Sequence, residues 1–222
     1  TSLYCESNNL TILDVSNNTA LTHLHVDSNQ LTTLDVTQNT ALTKLWCYAN
    51  QLTSLDVSNN TALISLWCYG NQLNSLNLSG ASNLEWVACQ NNQLTSLDGS
   101  TNTALNRLDV SNNQLIALDI RNGNNTNIPS AFWNGFISTG NNNLTCINVD
   151  NDAWSTANWT NIDPQHYFST NCPPPSAIQE HTTNKELLKV TDILGREVNE
   201  KRNTTIFYIY NDGTVEKKII IE

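Results

Sequence analysis

The 222-residue sequence contains no methionine and little charge. Charged residues make up 14% of it, against roughly 25% in an ordinary soluble domain. Asn, Thr and Ser take their place, so the chain is polar without being charged, and disorder driven by net charge is not expected. Basic residues are scarcest: 10 stand against 20 acidic ones, a formal charge of −10. That balance argues against nucleic acid and against anionic lipid bound through charge, both of which need basic patches. No run approaches the roughly 20 apolar residues of a transmembrane helix. P-loop, dinucleotide-glycine and nucleophile motifs are also missing, so no enzymatic activity is expected. Thr1 falls inside a pattern that is already running. The chain therefore reads as a mature or trimmed form, with any export signal outside it.

What the sequence has in abundance is repetition. Leu10, Leu31, Leu52, Leu73, Leu94 and Leu115 are spaced 21 residues apart. The same step links Leu13, Leu34, Leu55, Leu76, Leu97 and Leu118, and also Leu3, Leu24, Leu45, Leu66, Val87 and Leu108. Asn8, Asn29, Asn50, Asn71, Asn92 and Asn113 keep it too. Each unit splits into two halves, such as Leu21-x-x-Leu24-x-Val26-x-x-Asn29 and Leu31-x-x-Leu34-x-Val36-x-x-Asn39. The Leu-x-Val alternation is that of a short strand, and the Asn turns the chain by bonding backbone groups that the bend leaves unpaired. Stacked rungs of this kind build a parallel β-solenoid with a Leu/Val/Cys core and Asn ladders at its corners. The pattern resembles the bacterial 21-residue class of leucine-rich repeat, LxxLxCxxNxLxxLDLxxN. Residues 42–62, LTKLWCYANQLTSLDVSNNTA, fit it at every signature position. The resemblance covers about residues 1–120 and implies a leucine-rich-repeat solenoid, β-rich with short parallel strands and few helices.

The period breaks after Ile120, and 121–145 reads as an enlarged, irregular last rung of a solenoid spanning 1–145. Residues 146–172 read as a C-terminal cap, because an open solenoid end exposes core and strand edges. Asp152 is expected to N-cap a short helix there, with Trp154 and Trp159 covering the last rung. Cys146 and Cys172 bracket the segment. They form a disulfide if the protein is exported, and are otherwise two reduced, buried thiols. Residues 173–182 form a Pro-rich linker, and 183–222 a small β appendage with turns at Gly195 and at Asn211-Asp212-Gly213. This last unit resembles the C-terminal sorting domain of the type IX secretion system of Bacteroidetes. The block LLKVTDILGREV, the Tyr208-x-Tyr210 strand, the Asp212-Gly213 turn and Lys217-Lys218-Ile carry the resemblance. It implies contact with export machinery through 183–222 and a secreted or outer-surface location.

Register arithmetic also places candidate functional residues. Cys5, Cys47, Cys68 and Cys89 share the inward Val26 position and read as small buried hydrophobes. Outward columns hold Tyr4, His25, Trp46 and Trp67; Glu6, Asp27, Tyr48 and Tyr69; and His23, Lys44, Trp86 and Arg107. Trp46, Tyr48, Trp67, Tyr69 and Trp86 thus gather on one face of three rungs, expected to be exposed. Such a patch is costly unless used, and points to a protein or glycan ligand. The opposing interpretation is that the rings cover one another and only stabilise the sheet. His23, His25, Asp27 and Glu6 are weak candidates for a divalent metal, without a fixed second shell. The Asp14, Asp35, Asp56, Asp98 and Asp119 column belongs to the repeat itself and reads as structural. No cofactor is expected. The functional expectation is non-catalytic binding or adhesion by a secreted or cell-surface protein, the alternative being a structural spacer without a dedicated ligand.

Overall fold

In a computed structural model, residues 1–129, 135–173, 187–191, 196–198, 205–210 and 215–219 are described. The chain divides into two compact units, Thr1–Pro175 and Ser176–Glu222.

The first unit is a solenoid. The first half of each repeat supplies one strand of a seven-stranded parallel sheet: β1 (Ser2–Tyr4), β2 (His23–His25), β3 (Lys44–Trp46), β5 (Ser65–Trp67), β7 (Trp86–Ala88), β9 (Arg107–Asp109) and β11 (Phe136–Ile137). The second half supplies β4 (Ser54–Asp56) and β6 (Ser75–Asn77), which pair with each other. It also supplies β8 (Ser96–Asp98) and β10 (Ala117–Asp119) of a four-stranded sheet completed by β12 (Cys146–Asn148) and β13 (Tyr167–Ser169). Pairing is in register at the 21-residue step, Leu24 on Leu45 and Leu45 on Leu66, so identical positions stack rung upon rung. The inward Leu, Val and Cys columns merge into one continuous core.

Two asparagine ladders close the corners. Asn50 Nδ2 donates to Val26 O at 2.9 Å and Cys47 O at 3.2 Å, while its Oδ1 accepts the Leu31 N–H at 3.0 Å. One buried amide thus satisfies three backbone groups that the bend leaves unpaired. The pattern recurs at Asn29, Asn71, Asn92 and Asn113. In the second ladder Asn60 donates to Val36 O and Asn39 O, and Asn102 to Leu78 O and Ala81 O. The residue two after each Cys-type position has left-handed φ: Ser7, Ser28, Ala49, Gly70, Asn91 and Asn112. The Asp column caps the second-half turns. Asp14, Asp35, Asp56 and Asp98 each accept, through Oδ1, the N–H two residues on at 2.9 Å.

The ladder step lengthens from 21 to 28 residues between Asn113 and Asn141, which opens the irregular rung. Beyond it lies α1 (Asp152–Asn158), among the described residues the one α-helix. Its N-cap is Asn151 rather than Asp152. Asn151 has extended backbone and its Oδ1 accepts the Trp154 N–H at 2.9 Å, whereas Asp152 already sits in the first turn. Trp159 is buried against Phe136, ring centroids 4.4 Å apart, with Trp154 edge-on to it at 5.8 Å. Cys146 and Cys172 form a disulfide with Cα atoms 5.7 Å apart. The cap also adds a parallel strand, β13, whose Phe168 points inward.

The second unit contains a three-stranded antiparallel sheet of β14 (Leu187–Thr191), β15 (Thr205–Tyr210) and β16 (Val215–Ile219), in the order β14-β15-β16. The expected turns at Gly195 and Asn211-Asp212-Gly213, and the linker beyond Pro173, lie outside the described residues. Among the described residues no helix is long and apolar enough to cross a membrane.

Candidate functional site

The seven-stranded sheet presents its outward columns as a ladder of rings. Strand pairing sets Trp46 beside Trp67 and His25 beside Trp46. Trp46 and Trp67 stack with centroids 4.3 Å apart and planes 5° from parallel. His25 stacks on the other side of Trp46 at 4.0 Å, and Tyr4 meets His25 edge-on at 4.7 Å. Tyr48 and Tyr69 stack in the adjacent column at 4.4 Å. Trp86 meets Trp67 edge-on at 4.8 Å, and the Arg107 guanidinium lies 4.8 Å from the Trp86 ring centre. All five sequence candidates, Trp46, Tyr48, Trp67, Tyr69 and Trp86, are therefore brought together. His25, with Tyr4 beyond it, extends the ladder at one end and Arg107 at the other. Both His25 and Arg107 stand in the outward columns given by the 21-residue step, outside the five proposed ligand-binding residues.

The face is less open than the sequence implies. All five side chains are half-buried, because each ring's flat side is turned to the next rung. What faces outward is a row of ring edges. Aromatic edges are electropositive and the flat sides electronegative, so such a row attracts carbonyl and carboxylate oxygens or the flat side of another ring. It leaves few flat sides for a sugar to stack on. Packing alone also leaves a cost in the ladder. Trp46 Nε1, Trp67 Nε1, His25 Nε2 and Gln90 Oε1 are buried without a hydrogen-bond partner among the described residues.

Charge along one margin is arranged around Asp27, which is buried. The Asp27 carboxylate, with burial next, pushes the Tyr48 hydroxyl well above the usual tyrosine range. Burial raises Tyr69 as well. Asp109, near the Arg107 end, is raised by burial although Ser111 N and Oγ both donate to it.

The weak metal set is not assembled. His25 lies in the ring stack and His23 Nδ1 faces Thr22 Oγ1 at 2.9 Å. No group of three His, Cys, Asp or Glu suited to a metal occurs among the described residues. Three of the four inward cysteines are buried as the sequence implies; Cys5, on the first rung with no rung before it in this chain, is only half-buried. Cys47, Cys68 and Cys89 are fully buried free thiols, and burial pushes Cys47 up to about 12.

One polar cluster carried no periodic signal. Ser138 Oγ lies 3.1 Å from His166 Nδ1, and Asp163 Oδ2 lies 3.5 Å from His166 Nε2. The trio has the residue types of a nucleophilic site, but Ser138 and His166 are buried. Asp163 spends its carboxylate on the Gly140 and Asn141 N–H groups at 3.0 and 2.8 Å. This is a lock between the irregular rung and the cap.

No protein-family model and no curated protein matches the chain. Solved structures do. The functional domain of InlJ from Listeria monocytogenes, which includes a cysteine ladder, is 32% identical over 67% of this chain and 39% of that one, with a TM-score of 0.41. The internalin InlF from Listeria monocytogenes is 23% identical over 75% and 59%, with a TM-score of 0.47. A leucine-rich repeat protein of Leptospira interrogans is 23% identical over 73% and 41%, with a TM-score of 0.50. The chain thus spans less than two thirds of each of these structures. With the 21-residue register and the stacked parallel strands, the last of these likenesses establishes the fold as a leucine-rich-repeat solenoid.

Proposed function

We propose that this solenoid is a non-catalytic recognition module of the cell surface or secreted space, and that it binds a protein through the ring edges of Trp46, Tyr48, Trp67, Tyr69 and Trp86. The observation that carries the reading is the pair of unpartnered indole N–H groups in the Trp46–Trp67 stack. A stack kept only for stability gains nothing from two buried donors without acceptors, each of which costs about 1–3 kcal/mol. Both N–H groups are buried in the unbound face, so a partner pairs them only by shifting the rings, and a protein's carbonyl groups then supply the acceptors while its aromatic groups suit the electropositive outer edges. A glycan, the other ligand class implied by aromatic side chains, stacks on flat ring sides, and here those are occupied. The Cys146–Cys172 disulfide supports an oxidising location. Residues 183–222 serve, on their resemblance to sorting domains, as the unit that addresses the chain to export machinery.

The test is a binding screen of the purified chain against matrix and cell-surface proteins and against glycans, with Trp46→Ala/Trp67→Ala alongside. The expected result is a protein hit that the variant loses while its circular dichroism stays that of a folded solenoid. A glycan hit would overturn the ligand class. Silence from both chains, with the variant strongly destabilised, would make the ladder a packing device and the protein a spacer.

A further inference from the structure

The ladder contains one ring that can acquire a charge. His25 is held between the Tyr4 edge at 4.7 Å and the Trp46 face at 4.0 Å, with planes 20° apart in the latter pair. Its Nε2 is buried and unpartnered among the described residues. Among the described residues no side-chain hydrogen bond fixes the ring, and its place depends on stacking.

Every charged or titratable group that acts on it lies on the first three rungs. Asp27 and Glu6 favour the imidazolium, whereas His23 and Lys44 oppose it. Burial outweighs these and holds His25 below the ordinary imidazole range. The ring is neutral at neutral pH, and this end of the face is then governed by the Glu6 and Asp27 carboxylates against Lys44. That sum is −1, and one proton on His25 cancels it.

We infer that His25 makes the aromatic face acid-responsive: on protonation it places a cation against Trp46, turning an end of the ladder that repels anions into one that admits them. The inference rests on the proposed binding face for its consequence. Its physical content, a charge change at Trp46, stands independently of any partner. The charged ring gains a cation–π contact with Trp46 and attraction to Asp27 and Glu6, and both offset part of its desolvation. An anionic segment of a partner would then dock more readily in acidic surroundings.

The experiment uses iodide, an anionic quencher of tryptophan emission, on the full chain at low salt. Quenching is followed from about pH 7.5 to about pH 4, because burial places the charging of His25 below the ordinary histidine range. One added charge within a few ångströms of Trp46 is expected to raise iodide quenching about two- to threefold. Neutral acrylamide, run in parallel, should change little. His25→Phe keeps a ring against Trp46 and cannot charge, so it should abolish the rise, whereas His23→Gln should retain it. Thermal melts of both variants confirm that the solenoid is folded. A rise that persists in His25→Phe, or no rise in the unmodified chain, overturns the inference. Neither result depends on whether a protein partner is found, so this test and the binding screen fail separately.

Discussion

The side-chain amide of Asn71 reaches back across a full rung to the carbonyl oxygen of Cys47, 3.0 Å away. The same Nδ2 donates to Cys68 O at 3.0 Å, and Oδ1 accepts the Leu52 N–H at 3.0 Å. All three backbone groups lie in the buried corner. Asn71→Ala is therefore expected to cost about 2–4 kcal/mol, since each orphaned group forfeits its partner away from water. Asn8→Ala is the comparison. Its donors reach Cys5 O and Glu6 O on the exposed first rung, and the loss should stay below about 1 kcal/mol. Urea unfolding of the two variants measures the difference, and equal losses would contradict the ladder's role.

Ala49 and Gly70 hold equivalent positions on neighbouring rungs, with φ of 52° and 63°. Only glycine adopts this conformation without strain. Ala49→Gly should therefore stabilise the solenoid by about 0.5 kcal/mol despite the added freedom of the unfolded chain, and Gly70→Ala should destabilise it by about 1 kcal/mol. Opposite signs in thermal melting are the diagnostic result.

The free thiols should differ in reactivity. Cys47, Cys68 and Cys89 are fully buried, while Cys5 is half-exposed. Burial raises Cys5, and the Glu6 and Asp27 carboxylates raise it further. A raised pKa leaves less thiolate at any given pH, so Cys5 should label more slowly than an ordinary thiol near neutral pH and faster as pH climbs. Added salt should speed it by screening the two carboxylates. Mass spectrometry of the folded chain should find one adduct, at Cys5, with the other three thiols appearing only after unfolding. Adducts at Cys47, Cys68 or Cys89 in the folded chain would contradict their burial.

Much of this molecule is legible from spacing alone. A 21-residue step assigns the recurring Leu, Val and Cys columns of residues 1–120 to inward positions and the Asn8-to-Asn113 column to a corner. It also places Trp46, Tyr48, Trp67, Tyr69 and Trp86 on one face. It does not fix rotamers. Spacing says that Trp46 and Trp67 are neighbours, and not that they lie flat against each other with their edges outward, so the face looks more exposed in sequence than it is. Irregular segments are harder for a different reason. Tyr167-Phe168-Ser169 carries neither the leucines nor the asparagine of a rung, yet pairs as β13 because Phe168 fills the core beside Ile147. The Ser138–His166–Asp163 lock joins residues with no shared period. At α1 the choice between Asn151 and Asp152 as cap turns on backbone angles at one residue, which composition cannot supply.

Because the corner bonds of Asn71 stay within its rung or reach only the adjacent one, a rung carries its own corner amide, its own left-handed residue and its own share of core. Its gene segment is a whole number of codons with interchangeable ends. Duplication or loss of one such segment lengthens or shortens the array while leaving the flanking rungs with partners they already fit. The distance between the His25 end and the Arg107 end of the ladder is thus a heritable variable that recombination can adjust in single rungs, without a new fold having to be found.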